Sequence, residues 1–329
     1  MNGHLDGKVA LVTGSGQGVG RAIAKVLAAE GAKVVTNNRG PVKTNTTNQL
    51  DEKKLSRLSP EQLDWVNKEL ETYIGDADTT AADIRAAGGE ATACFGDISD
   101  FEVAKSIVEK TVATYGSIDI VVNVAGEFGF APIDKITEEL WDKVTTIKPK
   151  GYFNILRHAV PYMKEKQWGR IVNCSSVAFL GGPLRHAEYC AANAGVNGLT
   201  WALASELADD GITVNAFCPN AKTRASIDME LFDQTVEKDE MSTKSGIPIV
   251  KYEVMQLPDL FAPFIAYLVS NEAANVTGSI FLLMGNFIGR YENPAIVATM
   301  DDKDGWTLDK IIEKAPSTLF KDYKNINQK

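Results

Sequence analysis

The sequence is poor in the residues that build metal sites and disulfide frameworks. It has three histidines and four cysteines, and no two cysteines stand in a Cys-X-X-Cys pair: they are Cys94, Cys174, Cys190 and Cys218. In a chain of 329 residues this pattern favours buried free thiols over disulfides, and it gives no support for a metal site.

The chain also lacks an excess of basic residues. Its 34 lysines and arginines are outnumbered by 43 acidic residues, which gives a formal net charge of −9. Binding to a nucleic acid needs clustered basic side chains that contact phosphates, so we expect no nucleic-acid partner. A nucleotide cofactor is not excluded by this charge, because backbone amides can bind its phosphates.

Long apolar runs are missing as well. No run approaches the roughly 20 apolar residues that a membrane-spanning helix needs. The first residues, MNGHLDGKVALVTG, lack the basic start and long apolar stretch of a secretory signal. We therefore expect no membrane segment and predict a cytoplasmic protein. The 44% of hydrophobic residues still suffices for a large core.

A glycine-rich turn between a strand and a helix is the first positive signal. The apolar run Lys8 to Val12 predicts a buried strand, and RAIAKVLAAEGA after the turn predicts a helix. Glycines in such a turn let a pyrophosphate approach the backbone at the positive end of the helix. The turn residues that we predict to bind a dinucleotide are Gly14, Ser15, Gln17, Gly18, Val19 and Gly20.

The end of the second predicted strand bears on cofactor choice. In βαβ units a carboxylate here binds the ribose 2′-hydroxyl, whereas a nearby base accepts a 2′-phosphate. Lys33 to Asn37 is followed by Asn38 and Arg39, so no carboxylate is present. Arg39 could pair with a phosphate, and Asn38 would not repel it, which favours NADP(H) over NAD(H). The alternative is that Arg39 is a solvated loop residue.

Strand-like and helix-like segments alternate along most of the chain, with Ile280 to Leu283 interpreted as the last strand. This alternation predicts an α/β fold: a Rossmann-type, doubly wound parallel sheet in one domain over residues 1–289. Residues 40–78 form an insertion with an amphipathic helix after Ser59, which we expect to pack over the sheet edge. Covering the adenosine end or making a subunit contact are the alternatives. Residues 290–329 form a C-terminal extension.

Two hydroxyl side chains occupy a strand–loop–helix arrangement in the middle of the chain. Ser176 follows a strand-like run, and Tyr189 comes thirteen residues later at the start of a predicted helix. Asn193 lies one turn beyond Tyr189 on the same helix face. Pro149 interrupts the preceding helical stretch, and we expect a kink there that presents Lys148 to the cleft.

Together these motifs resemble the short-chain dehydrogenase/reductase family from about Gly7 to Ile288. Ser176 and Tyr189 match its catalytic pair, and Tyr189 and Asn193 also fall at cofactor-binding positions. The other matches to its cofactor motifs are Thr13, Gly14, Gly18 and Gly20 in the turn, Asp97 with Ile98 at the adenine, Asn123, Ala125 and Gly126 after the fourth strand, and Pro219 and Thr223 near the nicotinamide.

The resemblance implies hydride transfer between NAD(P)(H) and a secondary alcohol or ketone, with tyrosine as the acid/base. In the family a lysine four residues after the tyrosine lowers its pKa, and an asparagine at a helix kink supports a water. Here Asn193 stands at the lysine position and Lys148 at the asparagine position. We interpret this as a compensated swap, a Lys148–Ser176–Tyr189–Asn193 tetrad. The alternative is a catalytically inactive nucleotide-binding regulatory or scaffold protein.

Residues Cys218–Arg224 and Thr277–Gly289 resemble the hydroxyacyl-CoA dehydrogenase part of peroxisomal multifunctional enzymes. Together with the apolar loops and the segment 226–257, which mixes Met, Phe and Leu with charged residues, this suggests a small molecule with a bulky apolar body as substrate, either a hydroxysteroid or a 3-hydroxyacyl thioester. The family resemblance also implies a homodimer or homotetramer. Candidates for an apolar substrate wall, with ordinary core packing as the alternative, are Phe128, Phe130, Leu180, Leu184 and His186.

Overall fold

A computed structural model describes residues 3–41, 55–181, 184–230 and 251–324 of the chain. Eight strands form one sheet in the order β3-β2-β1-β4-β5-β6-β7-β8, with β1 to β7 parallel and β8 antiparallel to β7. This confirms the predicted doubly wound fold. The strands are β1 Val9–Thr13, β2 Lys33–Asn38, β3 Ala91–Phe95, β4 Ile120–Asn123, β5 Gly169–Cys174, β6 Ile212–Asn220, β7 Ile280–Met284 and β8 Phe287–Arg290.

The α-helices of the described chain lie mostly between the strands. They are α1 Gly18–Ala29, α2 Pro60–Thr72, α3 Ala77–Ala86, α4 Phe101–Tyr115, α5 Glu138–Thr145, α6 Tyr152–Lys166, α7 Ala187–Glu206, α8 Arg224–Glu230, α9 Ala262–Leu268 and α10 Leu308–Lys314. None of these helices is long and apolar enough to cross a membrane. The strand order reverses between β1 and β4, the point where doubly wound sheets bind ligands.

Two apolar cores cover the two faces of the sheet. Successive strand residues point to opposite faces, so Val12 joins one core and Leu11 the other. Ile23 of α1 packs in the first core, and Ile155 of α6 packs in the second. Because both faces are covered, the central strands are apolar along their length, as their sequences indicated.

The insertion helix α2 begins as the sequence predicted. Ser59 and Gln62 form a capping box, each side chain bonding the backbone amide of the other residue. The helix does not pack over the sheet edge, however. Val66 and its apolar neighbours pack on Ile227 of α8 and on Tyr252, because that apolar surface matches the apolar stripe of the helix. Of the insertion predicted over residues 40–78, residues 42–54 lie outside the described chain.

The sheet has one strand more than the sequence analysis predicted. β8 folds back on β7 in a hairpin in which Met284 pairs with Phe287, so Ile280–Leu283 is not the last strand. Gly285 begins the two-residue turn with φ of +54°, a conformation that favours glycine. A Gly-Asn pair between two apolar runs is a hairpin signal, and it could have revealed this strand.

The C-terminal extension carries the short helix α10. Thr307 caps α10 by accepting a hydrogen bond from the amide of Lys310. Asp302 pairs with Lys310 at 2.9 Å and with Lys314 at 3.0 Å, and the hydrogen bonds from these lysines lower the pKa of Asp302 to about 2. Of the segment 226–257, residues 231–250 lie outside the described chain.

We predict that Ile23→Ala lowers the free energy of unfolding by about 2–5 kcal/mol, because it leaves a cavity in a fully buried core. Urea denaturation followed by circular dichroism measures the change. Ile133→Ala makes the same chemical change at a side chain that is 73% exposed, and it should shift stability by less than about 0.5 kcal/mol. Equal losses in the two variants would contradict the assignment of the core.

Candidate active site

The glycine-rich turn lies against the segment that follows β4. Gly14 has φ of +65°, and a Cβ there would lie 2.6 Å from the amide nitrogen of Ala125. A Cβ on Gly20 would lie 2.3 Å from the carbonyl oxygen of Gly14. Side chains at these positions would therefore clash with backbone. Glycine leaves the backbone of the turn accessible at the start of α1, which suits a pyrophosphate.

A buried polar chain crosses the carboxyl ends of three strands. Thr13 Oγ1 accepts a hydrogen bond from the amide of Ala125 at 3.3 Å and lies 3.5 Å from Asn123 Oδ1. Asn123 Nδ2 donates to Asn173 Oδ1 at 3.0 Å, and Asn173 Nδ2 donates to Thr200 Oγ1 at 3.1 Å. Asn173 and Thr200 were not among the site residues predicted from the sequence. A polar amide inside the otherwise apolar run of β5 was the available signal.

The two residues at the end of β2 have different surroundings. Asn38 Oδ1 accepts a hydrogen bond from the amide of Ala77 at 2.7 Å, and Asn38 Nδ2 donates to the carbonyl of Gly40 at 3.1 Å. Its amide group thus holds the end of the insertion. Arg39 is exposed and makes no hydrogen bond or ion pair with another described residue. A ligand can therefore bind the Arg39 side chain without displacing a hydrogen bond, whereas binding the Asn38 amide group would break one.

Other predicted turn residues have structural partners. The Ser15 hydroxyl accepts a hydrogen bond from the amide of Asn37 at 2.9 Å and donates to a backbone carbonyl of β1. Gln17 Nε2 donates to the carbonyl of Gly75 at 2.9 Å, which fixes the insertion to the turn. Val19 packs against the first core. These side chains shape the turn, and their cofactor contacts stay a prediction.

Asp97 and Ile98 follow β3 at the same edge of the sheet. Asp97 Oδ1 accepts hydrogen bonds from the amide of Ser99 at 3.0 Å and from its hydroxyl at 2.7 Å. Ile98 is buried in the second core. The carboxylate is therefore held in one orientation beyond the strand end, and its contact with an adenine stays a prediction.

The segment after β6 also reaches the glycine-rich turn. Pro219 pairs with Leu283 within the sheet. Thr223 lies beyond the strand, and a Cβ on Gly18 would lie 3.2 Å from Thr223 Cγ2. The Ser226 hydroxyl accepts from the amide of Thr223 at 2.7 Å, which fixes this segment over the turn.

Lys148 lies in the cleft at the predicted kink. Its backbone is extended, with φ of −125° and ψ of 125°, between the helical turns on either side. Its side chain is only 3% exposed, and Nζ donates to Asn193 Oδ1 at 3.4 Å. Nζ also lies 5.9 Å from the ring centroid of Tyr189. The kink expectation is confirmed, and the ammonium and the amide of the proposed swap are neighbours.

Asn193 connects Lys148 to α7, the helix that carries Tyr189. It is fully buried, and its Nδ2 donates to the carbonyl of Tyr189 at 2.8 Å. Burial raises the pKa of the nearby Cys174 thiol, although the Lys148 ammonium opposes that rise. The thiol is therefore neutral near pH 7. Within the described chain no carboxylate forms an ion pair with Lys148, so its charge is compensated by dipoles and aromatic rings alone.

Four predicted residues form a continuous aromatic wall beside this ammonium. The ring of Phe128 lies 5.3 Å from that of Phe130 and 6.3 Å from that of Tyr189, measured between centroids. His186 stacks on Phe130 at 5.6 Å and lies 5.4 Å from Tyr189. The wall would present an apolar surface next to the phenol hydroxyl.

The serine and the two leucines occupy the loop between β5 and α7. Ser176 Oγ accepts a hydrogen bond from the amide of Ala178 at 3.3 Å and starts a 3₁₀ turn that packs on α7. Leu180 ends this turn and is 37% exposed, whereas Leu184 is only 4% exposed. Of the two leucines, Leu180 is therefore the more accessible to a ligand.

Comparisons with known proteins agree with this architecture. Residues 8–69 and 70–235 match the family model for short chain dehydrogenase. The chain is 32% identical to the 3-oxoacyl-[acyl-carrier-protein] reductase FabG of Thermotoga maritima over 285 residues, covering 87% of this chain and 99% of that protein. It is 32% identical to the hydroxyacyl-CoA dehydrogenase ChsB1 of Mycobacterium tuberculosis, covering 85% of this chain and 78% of that protein.

A solved structure extends the similarity to almost the whole chain. The crystal structure of a short chain dehydrogenase from Mycobacterium avium is 30% identical, with a TM-score of 0.74, and the match covers 98% of each chain. The glycine-rich turn, the serine–tyrosine pair and the sheet order all fit such a protein. The chain belongs to the short-chain dehydrogenase/reductase family, and it is an NAD(P)-dependent oxidoreductase that acts on CH–OH groups.

Proposed function

We propose that the protein transfers a hydride between NAD(P)(H) and a 3-oxoacyl or 3-hydroxyacyl thioester, with Lys148, Ser176, Tyr189 and Asn193 as a rearranged tetrad. The observation that carries the proposal is the buried Lys148 ammonium, held by Asn193 and lying 5.9 Å from the Tyr189 ring. Relatives named as a 3-oxoacyl reductase and a hydroxyacyl-CoA dehydrogenase favour a thioester over a hydroxysteroid.

The residues around the turn fit a dinucleotide. Gly14 and Gly20 stand where a Cβ would clash with backbone, so the turn keeps its amides open to a pyrophosphate. Asp97, Asn123 and Thr223 lie at the same edge of the sheet, the edge where such ligands bind. When bound, the nicotinamide supplies or accepts the hydride.

The protein's own residues handle the proton. In reduction, the Tyr189 phenol donates a proton to the oxygen of the substrate ketone, and in oxidation it takes that proton back. Ser176 donates a hydrogen bond to the same oxygen and positions it. The Lys148 ammonium stabilises the phenolate that forms when Tyr189 gives up its proton. Asn193 holds the ammonium from one side and the backbone of Tyr189 from the other.

We predict that Lys148→Met lowers kcat by about 100-fold or more at neutral pH, since an uncompensated phenolate raises the barrier for proton transfer. Oxidation of NAD(P)H with a 3-oxoacyl thioester, followed by absorbance, measures the loss. The dissociation constant for the cofactor, from fluorescence, should change by less than about twofold. Lys150→Met is the matched control, because Lys150 is exposed, and turnover should stay unchanged. Unchanged turnover in Lys148→Met would refute the role of the ammonium.

Exchanging both residues tests the swap itself. The double variant Lys148→Asn with Asn193→Lys moves the ammonium to the helix position that the family ordinarily uses. We expect kcat of the double variant to exceed that of each single variant by about tenfold or more, since groups that act as a unit give non-additive effects. Additive losses would show that the two positions do not compensate for each other.

Arg39 supports a preference for NADP(H), because it is the exposed base at the end of β2. A charged hydrogen bond to a 2′-phosphate is worth about 1.5–3 kcal/mol. We therefore predict that Arg39→Ala weakens NADPH binding by about tenfold or more and changes NADH binding by less than about twofold. Arg157→Ala removes another exposed arginine, on α6, and should change neither affinity. Equal effects of Arg39→Ala on both cofactors would contradict the preference.

The rival function, a nucleotide-binding regulatory or scaffold protein, gives a different outcome. Such a protein would bind the cofactor without turning over any ketone in a broad panel of thioesters and steroids. The buried lysine argues against it, because a protein without catalysis gains nothing from an ammonium that no carboxylate in the described chain compensates.

A further inference from the structure

His186 is a buried histidine without a hydrogen-bond partner. Its side chain lies in the aromatic wall, the residue is 7% exposed, and neither ring nitrogen has a partner among the described residues. Buried polar groups are almost always hydrogen-bonded in folded proteins. An unpaired imidazole whose ring lies 5.4 Å from that of Tyr189 therefore points to a ligand that supplies the missing bond when it binds beside the tyrosine.

The ring is held rigidly in this position. It stacks on Phe130 at 5.6 Å with an interplanar angle of 19°, and its centroid lies 5.4 Å from that of Tyr189. The backbone is fixed too: the amide of Ala131 donates to the carbonyl of Arg185 at 3.0 Å, and Ala131 forms a parallel bridge with His186. His186 is thus preorganised beside the phenol that we propose as the acid/base.

The ring is a neutral hydrogen-bonding group. Burial lowers the pKa of His186 to about 4, so at pH 7 one ring nitrogen is a donor and the other an acceptor. A neutral imidazole suits a neutral carbonyl better than a carboxylate, because no charge on the ring would balance an anion in this apolar surrounding.

We propose that His186 donates a hydrogen bond to the thioester carbonyl of a 3-oxoacyl substrate while Tyr189 and Ser176 bind its ketone oxygen. This inference rests on the proposed function and adds the residue that recognises the substrate class. One methylene separates the two carbonyls, so their oxygens lie about 3–5 Å apart by ordinary bond lengths. Two rings 5.4 Å apart can reach a pair of oxygens with that spacing.

The selectivity that follows can be measured with two matched ketones. The first is a 3-oxooctanoyl thioester of N-acetylcysteamine; the second is the same molecule with its thioester carbonyl replaced by a methylene. His186→Phe keeps the stacking and removes the donor. We expect it to lower kcat/KM about tenfold for the thioester, mainly through KM, and less than about twofold for the carbonyl-free ketone.

Two conservative variants identify the donor nitrogen. The amide of His186→Asn can replace Nδ1–H, and that of His186→Gln can replace Nε2–H, so one of the two should recover most of the selectivity for the thioester. His158→Phe is the matched control: the His158 ring also lies against a phenylalanine, 4.4 Å from Phe101 between centroids and tilted by 59°, but on α6 outside the site. It should leave kcat/KM unchanged for both ketones.

Three other results would each overturn the inference, and each has a different meaning. An equal loss on both ketones means that His186 binds the reacting oxygen or only supports the wall. No loss in His186→Phe, or no recovery in either amide variant, means that the ring does not donate to the thioester. If the wild-type protein reduces neither ketone, the proposed function itself fails. Thermal denaturation and cofactor affinity of each variant show that the fold and the turn are intact.

Discussion

The structure depends on satisfying polar groups that are buried at the carboxyl ends of its strands. A buried amide or hydroxyl without a partner costs about 1–3 kcal/mol, so several such groups could persist together only as a connected network. Thr13, Asn123, Asn173 and Thr200 form that network and run from β1 to α7. This network fixes the glycine-rich turn relative to α7, the helix that carries Tyr189, although the two are far apart in sequence.

The same cleft holds a buried charge under a similar constraint. Lys148 Nζ lies 3.4 Å from the amide oxygen of Asn193 and within 6 Å of the ring centroids of Tyr152 and Tyr189. No carboxylate of the described chain forms an ion pair with it. A partly compensated ammonium is costly in a dry site, and an anion that forms nearby is stabilised accordingly. In the role that we propose for Tyr189, the position of this positive charge decides how well a phenolate is stabilised. Our proposal is that Lys148, on the kink before α6, supplies the charge that a lysine on α7 supplies elsewhere in the family.

Local signals in the sequence predicted much of this arrangement. The glycine-rich turn, the helix that follows it and the kink at Lys148 were each predicted from a few neighbouring residues, and the structure has them where expected. Contacts between distant segments were not readable. The partner of Asn123 is Asn173, fifty residues away, and it becomes apparent only when β4 and β5 pair. The apolar stripe of α2 predicted a buried face but not which surface would cover it.

Two sets of contacts link the insertion to the site. Gln17 of the glycine-rich turn bonds Gly75, which follows α2. Ile227 of α8 packs in the apolar cluster with α2, only four residues after Thr223, which lies over Gly18. Tyr252 completes the contact through its 2.6 Å hydrogen bond to Glu69. An insertion held by the turn and by the segment over it is placed to stabilise both, which packing over the sheet edge could not do.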